Sequence, residues 1–145
     1  MADVRPIEIL LVEDNPGDVL LTKEAFSEAR ILNNIHVAKD GEEALMYLYD
    51  QLDGQQSIKP DIILLDLNLP KIDGHEVLEK VKNDKALKHI PVVILTSSKA
   101  EKDILQSYNA HANSYIVKPV DLDQLTNVVR AIERFWFSVV TFAGR

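Results

Sequence analysis

Short β-rich runs alternate with longer amphipathic segments along the whole chain, and this alternation limits the possible folds more than any other feature. Ile7–Val12 (IEILLV) reads as a strand. Asp18–Arg30 carries Val19, Leu20, Ala25, Phe26 and Ala29 near helical spacing and reads as a helix. Asn34–Ala38 is a second, weaker strand. Asp40-Gly41-Glu42-Glu43 has the pattern of a capping box, with an acid in place of Ser or Thr, opening a helix to about Asp50. Gln51–Pro60 is polar, contains Asp53-Gly54 and reads as a loop. Asp61–Leu65 is a continuous apolar run of the kind buried on both faces of a parallel sheet. A loop of turn formers follows over Asp66–Gly74, then a helix over Glu76–Asn83 with an irregular extension to His89. Pro91–Leu95 is another buried strand. Ser98-Lys99-Ala100-Glu101 reads as a capping box for a helix to about Asn109. Ser114–Val117 is a short strand, and Asp121-Leu122-Asp123-Gln124 opens the last helix, which runs into Phe135-Trp136-Phe137.

Five strands alternating with five helices predict an α/β fold: a doubly wound parallel sheet with helices on both faces and right-handed crossovers. At 145 residues the chain fits a single domain with a sizeable core. No internal repeat, low-complexity tract or linker interrupts it, and no second folded domain is expected. The net charge of -7 argues against sequence-independent nucleic-acid binding, which needs clustered Lys and Arg. The absence of Cys excludes disulfides and thiolate zinc sites and suits a reducing cytoplasm. Glu8 interrupts the N-terminal apolar run, and Ile62–Leu65 is clamped between Asp61 and Asp66. Neither a signal peptide nor a membrane span is expected.

In open α/β sheets, sites form beyond the carboxyl ends of the strands. Glu13 and Asp14 follow the first strand, Asp66 the third, Thr96, Ser97 and Ser98 the fourth, and Lys118 the fifth. Taken singly, each has a plain structural reading. An acid after a strand is usually a turn residue or a helix cap, Thr96 could begin a capping segment, and Lys118 could be a solvated lysine. Taken together they bring three acids, a hydroxyl cluster and one ammonium to one edge. Three close carboxylates repel one another unless a cation sits among them. Magnesium fits such oxygen ligands and leaves room for a phosphate, for which Lys118 supplies a point charge. Other chemistries lack their signatures. The chain has no G-x-G-x-x-G after its first strand, no P-loop and no G-x-S-x-G elbow. His36, His75, His89 and His111 lie in four separate segments without ligand spacing and read as structural or surface groups, His75 being the nearest to Asp66 in sequence.

On these residues the chain resembles the receiver domain of two-component response regulators, the CheY-like fold with strand order 2-1-3-4-5. The resemblance spans Ile7 to about Glu133. It rests on Glu13-Asp14, on Asp66-Leu67-Asn68-Leu69-Pro70-Lys71-Ile72-Asp73-Gly74 in the pattern D-x-x-x-P-x-x-D-G, and on Thr96, Tyr115 and Lys118-Pro119. More narrowly it is similar to the cyanobacterial phytochrome-associated (Rcp-type) regulators. The run from Glu13 to Asp18, Thr96-Ser97-Ser98, the Gln51–Pro60 loop and the Phe135-Trp136 tail carry that likeness. The resemblance implies that Asp66 accepts a phosphoryl group from a sensor histidine kinase such as a phytochrome. It implies magnesium held by Glu13, Asp14, Asp66 and the backbone carbonyl of Asn68, and Lys118 paired with the acceptor. Thr96 and Tyr115 would switch, Asn68, Ser97 and Ser98 would tune the lifetime of the phosphorylated form, and the Lys118-Pro119 bond would be cis. Leu69 stands where the family often has Met.

The last eleven residues crowd together Phe135, Trp136, Phe137, Val139, Val140 and Phe142. A helix apolar on every side is normally buried on every side. One face could pack on the domain while the rest frays. The expectation here is a twofold homodimer through residues 134–145, as the resemblance also implies. Two other functions compete with the phosphorylation-switched, stand-alone receiver. A constitutive interaction module would not need the intact acidic set. A phosphohydrolase of the haloacid dehalogenase type would need an Asp where Asn68 stands, and a cap domain.

Overall fold

A computed structural model of the chain describes residues 5–52, 59–97, 100–118 and 121–143, with the side chains of 50–52, 101 and 135–143 outside that description. Five strands, β1 (Ile7–Val12), β2 (Asn33–Ala38), β3 (Ile62–Leu65), β4 (Val92–Thr96) and β5 (Ser114–Val117), alternate with five helices. These are α1 (Pro16–Glu28), α2 (Gly41–Leu52), α3 (Gly74–Asn83), α4 (Glu101–Asn109) and α5 (Leu122–Ala143). All strand pairs are parallel, in the order β2-β1-β3-β4-β5. This is the doubly wound α/β sheet that the alternation predicts.

Side chains alternate across the pleat, so each central strand feeds two cores. Leu10, Val12, Ile63, Leu65, Val92 and Ile94 pack with Leu45 and Leu48 of α2 and Val77, Leu78 and Val81 of α3. Ile9, Leu11, Ile62, Leu64, Val93 and Leu95 pack with Ala25 and Phe26 of α1 and Leu125, Val129 and Ile132 of α5. β1, β3 and β4 are therefore almost wholly buried, while β5, at the sheet edge, is half-buried throughout. Arg5 closes the foot of the sheet with two 2.8 Å hydrogen bonds to Asp61, which also accepts from the Glu8 N–H.

Helix starts follow local chemistry. At α2 a variant of the expected capping box forms: Glu43 N–H donates to Asp40 Oδ1 (2.8 Å), while the Glu43 carboxylate accepts from the N–H of Lys39 (2.9 Å) rather than that of Asp40. At α5, Gln124 N–H donates to Asp121 Oδ1 (2.8 Å). Several details differ from the sequence reading, among them α3 starting at Gly74 rather than Glu76, on the Asp73 cap. α1 starts two residues earlier than Asp18, because Asn15 caps it and Pro16 suits the first turn. Its buried face is Thr22, Ala25 and Phe26, and Leu20, 61% exposed, points to solvent. At α4 the cap residue is Ala100, without a side-chain cap, rather than Ser98. Ser98 and Pro119 lie outside the described residues. So do the side chains of Phe135, Trp136, Phe137, Val139, Val140 and Phe142, although the backbone of α5 continues as helix to Ala143. Among the described residues, no helix is long and apolar enough to cross a membrane.

Candidate functional site

The carboxyl edge of the sheet places each site residue through the ladder of a neighbouring strand. Glu13 N–H donates to Ala38 O (3.0 Å), Asp66 N–H to Val12 O (3.1 Å) and Lys118 N–H to Thr96 O (2.7 Å). Three strand ends are thereby held side by side, and their next side chains converge. One carboxylate oxygen each from Glu13, Asp14 and Asp66 lies within 4.8 Å of the others. Glu13 and Asp66 are buried, and Asp14 is exposed.

The loop after Asp66 is shaped by its own residues. Asn68 N–H donates to Asp66 Oδ1 (3.0 Å), fixing the carboxylate from below. Lys71 takes a left-handed backbone (φ 65) that turns the loop back. Asp73 caps α3 by accepting from His75 N–H (2.8 Å). Gly74 N–H donates to Leu67 O, and a Cβ on Gly74 would overlap the Asp66 carbonyl oxygen and the Leu67 Cα. Gly74 thus lets the helix start press directly against the Asp66 backbone.

Lys118 ties the cluster together. Its Nζ lies 2.7 Å from Glu13 Oε1, 2.8 Å from Asp18 Oδ2 and 3.2 Å from Asp66 Oδ2. Burial opposes the ammonium charge. The hydrogen bonds to Asp18 and Glu13 and the charges of Glu13 and Asp66 outweigh it, so the group is held charged above the usual lysine range. Burial pushes Glu13 above the usual carboxylate range; Lys118 and the Asn15 N–H work against that, and the charge of Asp66 adds to it. The site therefore holds more negative charge than one ammonium can balance. An all-oxygen donor set of three carboxylates fits a hard divalent cation.

Of the residues expected at the site, Glu13, Asp14, Asp66 and Lys118 come together. Asn68 and Ser97 stand at the rim of the same cleft. The Asn68 side-chain amide points to Thr96 Oγ1 (3.5 Å) and Ser97 Oγ (3.4 Å). Thr96 is fully buried at the end of β4, and half-buried Tyr115 packs against the α2–α3 core. Sequence reasoning missed Asp18. It read that acid as the start of a helix, whereas its carboxylate crosses to Lys118. The available signal was its place one turn beyond Glu13-Asp14, on a helix starting at the same sheet edge. The histidines stay outside the cleft: His36 stacks on Tyr47 (ring centroids 4.0 Å apart), and His75 Nε2 lies 3.2 Å from Asp103 Oδ1.

A parallel 2-1-3-4-5 sheet with an acid cluster, a lysine and a buried threonine at its carboxyl edge defines a phosphorylation-type receiver module. In agreement, residues 9–130 match the response regulator receiver domain, and the chain belongs to that family. It is 43% identical over 136 residues to the response regulator Rcp1 of Synechocystis sp. (strain ATCC 27184 / PCC 6803 / Kazusa), covering 94% of this chain and 92% of that one. Among solved structures, the phosphorylated cyanobacterial phytochrome response regulator RcpA superposes with a TM-score of 0.82 at 45% identity, covering 93% of this chain and 96% of that one. The Mn(2+)-bound form of Rcp1 superposes with a TM-score of 0.79 at 44% identity, covering 90% and 94%.

Proposed function

We propose that this chain takes a phosphoryl group onto Asp66 from a phosphohistidine of a sensor histidine kinase, and signals through the resulting change of shape. The observation that carries this reading is the Lys118 ammonium seated between Glu13 and Asp66 at the mouth of the acid cluster. A carboxylate oxygen of Asp66 attacks phosphorus, the P–N bond of the donor breaks, and its imidazole nitrogen leaves with the electron pair. An aspartyl phosphate remains, and water later hydrolyses it. The protein's part is to position and to neutralise charge. The Asn68 N–H orients one Asp66 oxygen and Lys118 engages the other. Glu13, Asp14, Asp66 and the Asn68 carbonyl would hold magnesium. When bound, magnesium offsets the carboxylate charge and that of the phosphoryl oxygens. A manganese-bound form of the similar Rcp1 supports a divalent-ion site here.

Thr96 and Tyr115 form the switch. Phosphorylation adds about -1.5 to -2 charges at one point. Hydrogen bonds to a charged group contribute about 1.5–3 kcal/mol each. New bonds from Thr96 and Lys118 would shift a two-state equilibrium by a few kcal/mol, enough to invert a population held back by a similar margin. Asn68 and Ser97 line the cleft beside the acceptor, and these two together with Ser98 would tune the lifetime of the phosphate. The similarity to RcpA supports a phytochrome-type kinase as donor, and the absence of Cys suits a cytoplasmic setting. The apolar C-terminal residues 134–145 would pair two receivers in a homodimer.

The test is intact mass after incubation with acetyl phosphate and magnesium. Wild type gains one phosphoryl group and Asp66→Asn gains none. Equal uptake by Asp66→Asn would overturn the assignment.

A further inference from the structure

Lys118 donates to three carboxylates, and one of them has no part in the reaction above. An ammonium has three N–H bonds. Glu13 at 2.7 Å, Asp18 at 2.8 Å and Asp66 at 3.2 Å take up all three, and the longest contact goes to the acceptor. The three carboxylates differ in burial: the side chains of Glu13 and Asp66 are 3% and 7% exposed, whereas that of Asp18 is 36% exposed. Asp18 is held in place by the backbone of α1. Its N–H donates to Asn15 Oδ1 (3.1 Å) and its carbonyl accepts from Thr22 Oγ1 (2.8 Å). Its carboxylate leaves the helix end and reaches across the cleft to the lysine.

We propose that Asp18 is a positioning residue that occupies one N–H of Lys118 in the resting protein and yields it to the phosphoryl group on Asp66. The reasoning is one of replaceable partners. Stripping Lys118 from Glu13 would leave a buried carboxylate uncompensated, which is costly. Stripping it from Asp18 leaves a carboxylate that water can solvate, which costs little. When phosphoryl oxygens arrive, the contact that breaks is the one to Asp18. Until then Asp18 competes for the lysine, so it sets how readily the site captures the phosphoryl group. This rests on Asp66 being the acceptor.

The test uses beryllofluoride with magnesium, a phosphoryl mimic, titrated into the full chain and read by 19F NMR of the bound fluorides. Asp18→Asn tightens binding by about two- to fivefold, the range set by a solvent-exposed ion pair. Asp18→Glu, which keeps the charge, retains wild-type affinity. In a Lys118→Met background, little of the Asp18→Asn gain survives, because the competition acts through the lysine. An equal gain with and without Lys118 would mean that Asp18 acts only by its charge, and no gain at all would mean that it does not compete; either result overturns the proposal. Asp66→Asn separates the two readings. Loss of binding in that variant upholds the acceptor whatever Asp18 does, and binding that survives it sinks both.

Discussion

Lys82 shows how one buried charge leaves a trace in stability. Its ammonium is half-buried and donates to the carbonyls of Lys88 (3.1 Å) and Ile90 (2.7 Å) at the end of α3. Burial lowers its pKa below the ordinary lysine value of 10.5. The neutral amine still has two N–H bonds for the two carbonyls, so deprotonation keeps both contacts. Between the folded and unfolded pKa values the unfolded chain binds more protons, so stability from this group rises with pH and the burial cost fades. The stability of wild type relative to Lys82→Met should therefore increase as the pH rises toward 10.5, the unfolded value. Chemical denaturation at stepped pH measures it, and a difference that falls with pH contradicts the assignment. On the proposed function, Thr96 governs the switch rather than the chemistry. Thr96→Ala should still accept the phosphoryl group by intact mass, while its phosphorylated form binds the signalling partner about tenfold or more weakly, the loss of one charge-assisted hydrogen bond. Partner binding equal to wild type would remove Thr96 from the switch.

At the scale of elements, the strand-to-helix joints carry the site, and they differ in how far the sequence reveals them. β1, β3 and β4 are legible because strands buried on both faces must be nearly all apolar, and Ile7–Val12, Ile62–Leu65 and Val92–Thr96 are. The start of α2 is legible because Asp40 accepts from the Glu43 N–H and Glu43 in turn accepts from the Lys39 N–H. The start of α4 is not, since Ala100 has no side chain to announce a cap. Asp18 escaped for the opposite reason: an acid in a first helical turn already has an ordinary explanation, which hides its reach to Lys118. Leu20 lies near the helical spacing of α1 yet faces solvent, because a loose apolar spacing does not settle which face turns inward. The joint before α3 is the most exacting. Gly74→Ala forces the helix start away from the Asp66 carbonyl and Leu67. It should cost about 1–3 kcal/mol in thermal unfolding and lower phosphoryl uptake, since the acceptor backbone moves with it. Wild-type stability and uptake together would show that the contact does not constrain the loop.

Across the whole molecule, the sheet order turns residues distant in sequence into one site: Glu13, Asp66 and Lys118 meet only because β1, β3 and β5 end at the same edge. That much follows from the alternation of elements and from the placement of sites beyond the carboxyl ends of parallel strands. The quaternary arrangement does not, because the apolar composition of residues 135–142 does not say what packs against them. Deleting Phe135–Arg145 should convert a dimer to a monomer in sedimentation, and a truncated protein that still sediments as a dimer would place the contact elsewhere. The central claim, that Asp66 is the acceptor, is tested most directly by locating the phosphate. Borohydride reduces an aspartyl phosphate to homoserine, which marks the residue covalently for peptide mass mapping. After phosphorylation with acetyl phosphate and magnesium, homoserine should appear at position 66 and at no other aspartate. Homoserine at Asp14 or Asp18, with position 66 unchanged, would contradict the account.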